Sequence, residues 1–425
     1  MKLTVFDERE QVEPEALSVD AASLYRAFEH VKDGRKAKGK RYPLALLLTL
    51  ILLGKLAGET QLDGIIDWIN ERQHELKKLL NWPKSFPVQK TYTDALAKCD
   101  HQEVARTIAQ VLVKARAQER CDEEPSRLLV HQEPNNEGLI QTAVDGKILR
   151  GTLKHNRDDQ PPVHLLSWYE CESGIVLDQF VVNPKNNEES ACQAIWHPVL
   201  VKGRIITAEA IFSCRAWCAT VHVYQGYYVI PIKDNNPAVR RDLEEFFEDE
   251  GIDRNEFQCH KETTKGHGRL EVREIWTSTQ MNEWFQNEWA GIAQVFRIRR
   301  TVQEKGEERR ELVYGITNVP RTKAHAKRLL ELNRKHWWIE NRLHYRRDVT
   351  LREDASQVRS VGAPEVLAAL NGGLLALLDF QGVKNVAKQM RHFLHNHAKP
   401  SNCCLASSHG NTGKLKSPAW TLHCW

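Results

Sequence analysis

Several sequence features that would assign the chain to a specialised class are missing from its 425 residues. None of the ten cysteines forms a C-x-x-C pair or has a histidine partner at zinc-finger spacing, so no zinc module is indicated. The first 15 residues are acidic and contain no apolar segment, so no secretion signal is indicated. These absences predict a cytoplasmic protein with free, buried thiols.

Long apolar runs and a strong net charge are missing as well. The longest apolar run, Leu44 to Gly54, is shorter than the about 20 residues that a membrane-spanning helix needs, so it predicts a buried core helix and no membrane association. The net charge of +4 is small for a nucleic-acid binder, so the distribution of charge matters more than the total. Residues 32–41 hold six basic residues and one acid, which fits either a solvated loop or a loop that contacts phosphates.

The pattern along the chain predicts a helical N-terminal domain over residues 1–135, joined by a linker to a region rich in β-type runs. Three strands are expected first, the initial one ending at Asp145, and further strands are then reached through helices, one of them spanning 188–201. The order β-β-β-α-β-α-β is that of a ribonuclease-H-like α/β fold, a mixed sheet with helices on both faces.

The rest of the chain is predicted to contain an insertion, the second part of the catalytic domain and a tail. A β-rich insertion is expected over 236–320, with a hairpin that turns at Lys305 and Gly306. Residues 138–235 and the helical segment 321–393 then form the two parts of the catalytic domain. Residues 394–425 have no clear period, and a frameshifted tail and a genuine variable tail both remain open.

Three carboxylates carry the chemistry that this pattern suggests. Asp145 and Glu209 follow strands that are neighbours if the topology holds, and Glu340 lies on a helix face with Trp337 and His344. Clustered carboxylates repel one another unless a cation joins them, and Mg²⁺ prefers oxygen ligands. Taken singly, an acid at a strand end is more often a turn or cap residue, and Glu340 alone is more often half of a surface ion pair.

Several ordered motifs together resemble one known family. They include AVDGKILRG at 143–151, IITAEAIFS at 205–213, YYVIPIKDNN at 227–236, GHGRLEVRE at 266–274 and NRKHWWIENRLHYRRDVTLREDAS at 333–356, preceded by the 28–58 segment. From about residue 25 to 393 the chain is similar to the DDE transposases of bacterial insertion sequences. Within them it is most similar to the ISAs-type, or H-repeat-associated, group.

The resemblance implies a function, a metal site and partners. It implies a bacterial, nucleoid-associated enzyme that uses Mg²⁺, with Mn²⁺ as a substitute, to cut element ends and join them to target DNA. Asp145, Glu209 and Glu340 would be the catalytic metal ligands. The partners would be double-stranded DNA, as terminal inverted repeats and target, and a second copy of the chain. Family motif positions that would contact DNA are Lys147, Arg150, Lys233, His267, Arg269 and Arg347, and the basic 321–347 segment would face the DNA. For Trp276, Trp289, Trp337 and Trp338, core packing is favoured over stacking on a displaced base.

One departure from the family bears on activity. The family usually has Asp at the second acidic position, whereas this chain has Glu209, which extends the carboxylate by roughly 1.3–1.5 Å. A displacement of about 1 Å in a catalytic group can cost on the order of a hundredfold in rate, so weak or absent cleavage is expected. A DNA-binding relic without catalysis and a nuclease on the same fold are the alternatives to an active transposase.

Overall fold

The computed structural model describes residues 21–123, 139–152, 162–182, 197–266, 268–358 and 360–396. Its N-terminal part is helical, as predicted. The helices are α1 (Ala21–Phe28), α2 (Leu44–Leu56), α3 (Leu62–Glu71), α4 (Gln73–Leu79), α5 (Gln89–Leu96) and α6 (His101–Glu123). Every residue of α2 is buried, which confirms the core helix predicted from the apolar run, with Pro43 immediately before its first turn.

Among the described residues, nine strands form one mixed sheet in the order β3-β2-β1-β4-β5-β9-β8-β7-β6. The strands are β1 (Ile140–Ile148), β2 (His164–Glu170), β3 (Ile175–Val181), β4 (Arg204–Ala208), β5 (Tyr227–Ile232), β6 (Gln258–Gly266), β7 (Arg269–Ser278), β8 (Gln294–Glu304) and β9 (Glu307–Thr317). β1 is antiparallel to β2 and parallel to β4, which is parallel to β5. The predicted ribonuclease-H-like order is confirmed.

The predicted end of β1 at Asp145 is wrong by three residues. β1 continues to Ile148 because it still pairs with β2 beyond its last pair with β4. Asp145, for example, lies opposite Ser167 of β2. Part of the helix predicted over 188–201 lies outside the described residues, and its described end is α7 (Pro198–Val201). The next two helices, α8 (Arg215–Val223) and α9 (Pro237–Glu248), pack on the sheet face opposite α6.

The β-rich segment extends the same sheet. β9 pairs antiparallel with β5, so β6 to β9 continue the sheet. A short helix, α10 (Asn282–Phe285), connects β7 to β8. The predicted hairpin is present, and positive φ angles at Lys305 (51°) and Gly306 (85°) make its tight turn. β6 was not predicted, because its sequence QCHKETTKG is polar and mostly exposed at the sheet edge.

The C-terminal part is helical and completes the core. It contains α11 (Ala326–His336), two π-helical segments (Ile339–His344 and Arg346–Thr350), α12 (Ala363–Phe380) and α13 (Val386–Asn396). By length and composition α12 is the one described helix that could cross a membrane, but 83% of it is buried inside the protein. It packs against α6 and β3, so the N-terminal helices and the sheet share one hydrophobic core.

Candidate metal centre

Two parallel strands bring the first two predicted acids side by side. The last registered β1–β4 pair is Val144 with Ala208; Asp145 is the next residue in β1, and Glu209 is the first residue after β4. Adjacent strands lie about 4.8 Å apart, so the backbones at these two positions are neighbours. The placement follows from the parallel pairing, because the carboxyl ends of neighbouring parallel strands reach the same edge.

The third predicted acid reaches this edge from the first π-helical segment. The Nδ1 atom of His344 lies 3.0 Å from Oε2 of Glu340 and 3.4 Å from Oδ2 of Asp145. One potential ligand atom from each of these three side chains lies within 4.8 Å of the other two. The side chain of His344 is 3% exposed and that of Glu340 is 54% exposed, so a buried ring supports an accessible carboxylate.

Glu209 is not a member of this convergent group, although its backbone adjoins Asp145. Its side chain is half-buried, lines an open cleft with Lys233, and makes no hydrogen bond to the described residues. The turn that follows it is held by two amides. Asn235 donates to the carbonyl oxygen of Ala210 at 2.6 Å, and Asn236 donates to Oγ of Ser213 at 2.8 Å.

The electrostatics keep Glu340 ionised. The hydrogen bond from His344 is the largest cause that lowers the pKa of Glu340; the charge of Lys147 also lowers it, while partial burial raises it. Burial lowers the pKa of His344, so its ring is neutral near pH 7 although the Glu340 contact raises that pKa. The result is an ionised carboxylate next to a neutral imidazole.

The geometry of the Asp145 and Glu340 carboxylates fits a small divalent cation. Neighbouring ligands of an octahedral Mg²⁺ with bonds of about 2.1 Å are separated by roughly 3.0 Å. One carboxylate oxygen of Asp145 and one of Glu340 lie within 4.8 Å of each other, which lets the two carboxylates face one ion. Carboxylate oxygens together with water are the ligands that Mg²⁺ or Mn²⁺ prefers.

Two predicted phosphate contacts are not available in this fold. Arg347 has no exposed side-chain surface, and its guanidinium pairs with the Glu353 carboxylate at 2.8 Å. Lys147 is 7% exposed, and its ammonium group lies 2.6 Å from Asp348. Both cations are enclosed and paired with carboxylates of the protein, so in this fold neither is exposed to a phosphate at the surface.

The other predicted contacts differ in their positions. Arg150 is 75% exposed near Asp354, and Lys233 is exposed in the cleft beside Glu209. Arg269 is exposed too, but it begins β7, five strand positions from β1 and therefore about 24 Å across the sheet. His267 lies outside the described residues.

The basic segments also behave differently from each other. Of the nine Lys and Arg residues in 321–347, seven form ion pairs with carboxylates of the protein, so this segment offers much less free charge than its composition predicts. In 32–41, Arg35 is buried against Asp33, whereas Lys32, Lys36, Lys38, Lys40 and Arg41 are exposed. Of these two basic segments, the N-terminal loop therefore offers more exposed cations.

Sequence reasoning did not assign His344 to the site, although it placed His344 on the helix face of Glu340. The i, i+4 spacing of the two residues was the available signal. The expectation of core packing is confirmed for Trp289, which is buried, and is wrong for Trp337, which is 51% exposed next to the Glu340 segment.

Two family models match this chain. Residues 25–111 match a family described as DDE_Tnp_1-associated, and residues 137–376 match the Transposase DDE domain. YncI of Escherichia coli O157:H7, named as a candidate transposase, is 24% identical over 87% of this chain and 90% of its own length. YhhI of E. coli K12, named as an H repeat-associated candidate transposase, is 26% identical over 54% of this chain and 61% of its own length.

Among solved structures, the piggyBac transposase synaptic complex with hairpin DNA matches 91% of this chain and 80% of its own, at 10% identity and a TM-score of 0.37. That likeness is too distant to bear on the fold. The match to the Transposase DDE domain covers more than half of the 425 residues, including all three acidic positions. The chain therefore belongs to the DDE transposase family of insertion-sequence proteins.

Proposed function

We propose that this transposase cuts the ends of its element and transfers the freed strands to target DNA in a reaction that requires Mg²⁺ or Mn²⁺. The convergence of Asp145 and Glu340, side chains 195 positions apart in the chain, is the observation that carries the proposal. Acids this close repel each other without a cation, so their retention at one point supports a metal-binding role.

Asp145 and Glu340 would hold the cation, and Glu209 would complete the set from the adjoining strand. A bound divalent ion supplies a polarised phosphodiester and a more acidic water or 3′-hydroxyl. The chain itself keeps Glu340 ionised through His344 and leaves the Glu340 side chain 54% exposed, where duplex DNA would approach it. The family resemblance adds a homodimer in the active complex, which sedimentation of the DNA-bound protein would test.

Exposed cations would hold the DNA backbone near this edge. Lys233 shares the cleft with Glu209, and Arg150 follows β1 by two residues. The five exposed cations of residues 32–41 offer a further sequence-independent contact. We expect each phosphate contact that is lost to reduce the salt dependence of binding by about one unit of slope.

A second candidate, a DNA-binding relic without cleavage, is favoured by the position of Glu209. Its carboxylate lies outside the convergent group, and it is one methylene longer than the Asp usual in the family. In this reading Glu209 cannot share an ion with Asp145, and the protein binds element ends without cutting them.

End cleavage on duplexes that carry the inverted repeats flanking the gene separates the candidates. We expect Mg²⁺-dependent nicking by the wild type that is lost in Asp145→Asn and Glu340→Gln. The variant Glu209→Asp should cut on the order of a hundredfold faster. Glu331→Gln, in a peripheral ion pair, is the matched control and should cut like the wild type. Binding without cleavage by both the wild type and Glu209→Asp would refute catalysis and leave the relic. Nicking without joined product would indicate a nuclease.

A further inference from the structure

We propose that His344 is a positioning residue that donates a hydrogen bond from Nδ1 to the Glu340 carboxylate and turns it toward Asp145, without binding the metal ion itself. This inference rests on the proposed metal site and deepens it. It concerns how the chain holds an exposed acid in place before any ion arrives.

The first argument is the contrast in exposure between the two residues. The side chain of Glu340 is 54% exposed, and a glutamate in that setting has several rotamers open to it. The ring of His344 is 3% exposed and is therefore fixed by packing. A contact of 3.0 Å from a fixed donor selects one orientation of the carboxylate. The 3.4 Å distance to Asp145 places that orientation next to the second acid.

The second argument is the proton inventory of the ring. A neutral imidazole has one N–H and one lone pair. Nε2 is buried and has no hydrogen-bond partner among the described residues, so an N–H there would be a buried donor without an acceptor. The single proton therefore belongs on Nδ1, facing the two carboxylates.

The same inventory argues against direct metal binding by His344. A histidine that binds a metal through Nδ1 carries its proton on Nε2 and almost always donates it to a carboxylate, carbonyl or water. The described residues provide no such acceptor for Nε2. Carboxylates that bind metals are in turn held by hydrogen bonds, which is the role that the geometry gives to His344.

The tautomer is tested first, on the metal-free full-length chain. Nitrogen NMR of protein labelled with ¹⁵N-histidine, with the His344 signals identified by their loss in His344→Asn, reports which ring nitrogen carries the proton. We expect the Nδ1–H form near pH 7. The Nε2–H form would overturn the proposal regardless of whether the protein cuts DNA.

Mn²⁺ binding, measured by calorimetry and electron paramagnetic resonance, tests the positioning role. His344→Ala should weaken Mn²⁺ binding about 10–100-fold. His344→Asn should recover most of the loss, because its amide N–H lies close to the Nδ1 position. His336→Asn is the matched control, since His336 is also buried but contacts Thr207, and it should bind Mn²⁺ like the wild type.

Two further outcomes separate this proposal from the proposed function. A hyperfine coupling between Mn²⁺ and a directly bound histidine nitrogen, measured by pulsed electron paramagnetic resonance, would overturn the positioning role while supporting the metal site. Equal Mn²⁺ affinities of the wild type and His344→Ala, with binding still lost in Asp145→Asn, would also overturn it. If the wild type itself does not bind Mn²⁺, the proposed metal site is wrong. The tautomer of His344 would still test the proposed hydrogen bond to Glu340.

Discussion

Replacing Arg347 with methionine distinguishes a residue that contacts DNA from one that stabilises the fold. The family motif suggests a phosphate contact for a basic residue at this position. In the structure the guanidinium has no exposed surface, and its Nε lies 2.9 and 3.0 Å from the two carboxylate oxygens of Glu353. Glu353 also accepts a hydrogen bond of 2.8 Å from Asn371 on α12. The substitution therefore leaves a buried carboxylate without its counter-charge.

The expected magnitude follows from that burial. Removing one partner of a buried ion pair costs about 3–5 kcal/mol, because the remaining charge keeps its desolvation penalty. Burial raises the pKa of Glu353, but Arg347 outweighs it and lowers the pKa below the usual value. In the wild type the pair therefore contributes stability above the usual glutamate pKa and loses it in acid. In Arg347→Met the Glu353 carboxyl takes up a proton more readily, so the deficit should shrink as the pH falls from 8 toward 5.

Urea unfolding of the wild type, Arg347→Met, Glu353→Gln and the double variant measures the pair in a cycle. We expect each single substitution to lower the free energy of unfolding by about 3–5 kcal/mol, and the double variant to lose at least about 2 kcal/mol less than the sum. Arg150→Met is the control, because Arg150 is exposed. It should change the free energy of unfolding by less than about 0.5 kcal/mol and reduce the salt slope of duplex binding by about one.

The reasoning would be refuted by the opposite pattern for Arg347. If Arg347→Met unfolds at the same urea concentration as the wild type but binds duplex DNA with a smaller salt slope, the guanidinium is a phosphate contact. The buried ion pair would then not represent the arrangement in solution.

Three further predictions concern the surroundings of the site. Burial lowers the pKa of His336 to about 4, below the unfolded value of about 6.5, so the unfolded chain binds the extra proton between these pH values. The free energy of unfolding should therefore fall by up to roughly 3 kcal/mol as the pH drops through this window. Urea unfolding of His336→Gln should show no such fall, and identical pH profiles of the two proteins would contradict the prediction. Asn236→Ala should lower the free energy of unfolding by about 1 kcal/mol and the cleavage rate roughly tenfold, because the turn after β4 loses its hydrogen bond to Ser213. Cleavage at the wild-type rate would show that this hydrogen bond does not position Glu209. A Cβ at Gly373 would lie 2.8 Å from two side-chain atoms of Ile108, so Gly373→Ala should cost about 1–3 kcal/mol in urea unfolding, and Ile108→Val should relieve part of this cost if the clash is its cause.

Much of the framework was predictable from local sequence. The apolar run of α2, the strand order and the hairpin at Lys305 and Gly306 follow from hydrophobic periodicity and turn chemistry, which depend on neighbouring residues. The adjacency of Asp145 and Glu209 followed from topology, since parallel neighbouring strands end at the same edge. The edge strand β6 was missed because its polar residues carry no apolar alternation and gain their strand partner only in the assembled sheet.

The sequence by itself determined the family, the order of the core elements and the identity of the acids. The tertiary structure alone decided which charges are free. Lys147 is neutralised by Asp348, 201 positions away, and Arg347 is enclosed by Glu353, so neither faces solvent. The same long-range packing brings Glu340 and His344, neighbours on one helical segment, to Asp145 and leaves Glu209 outside that group. A side chain's charge is written in its residue type, but its exposure and its partner depend on segments that meet only when the chain folds.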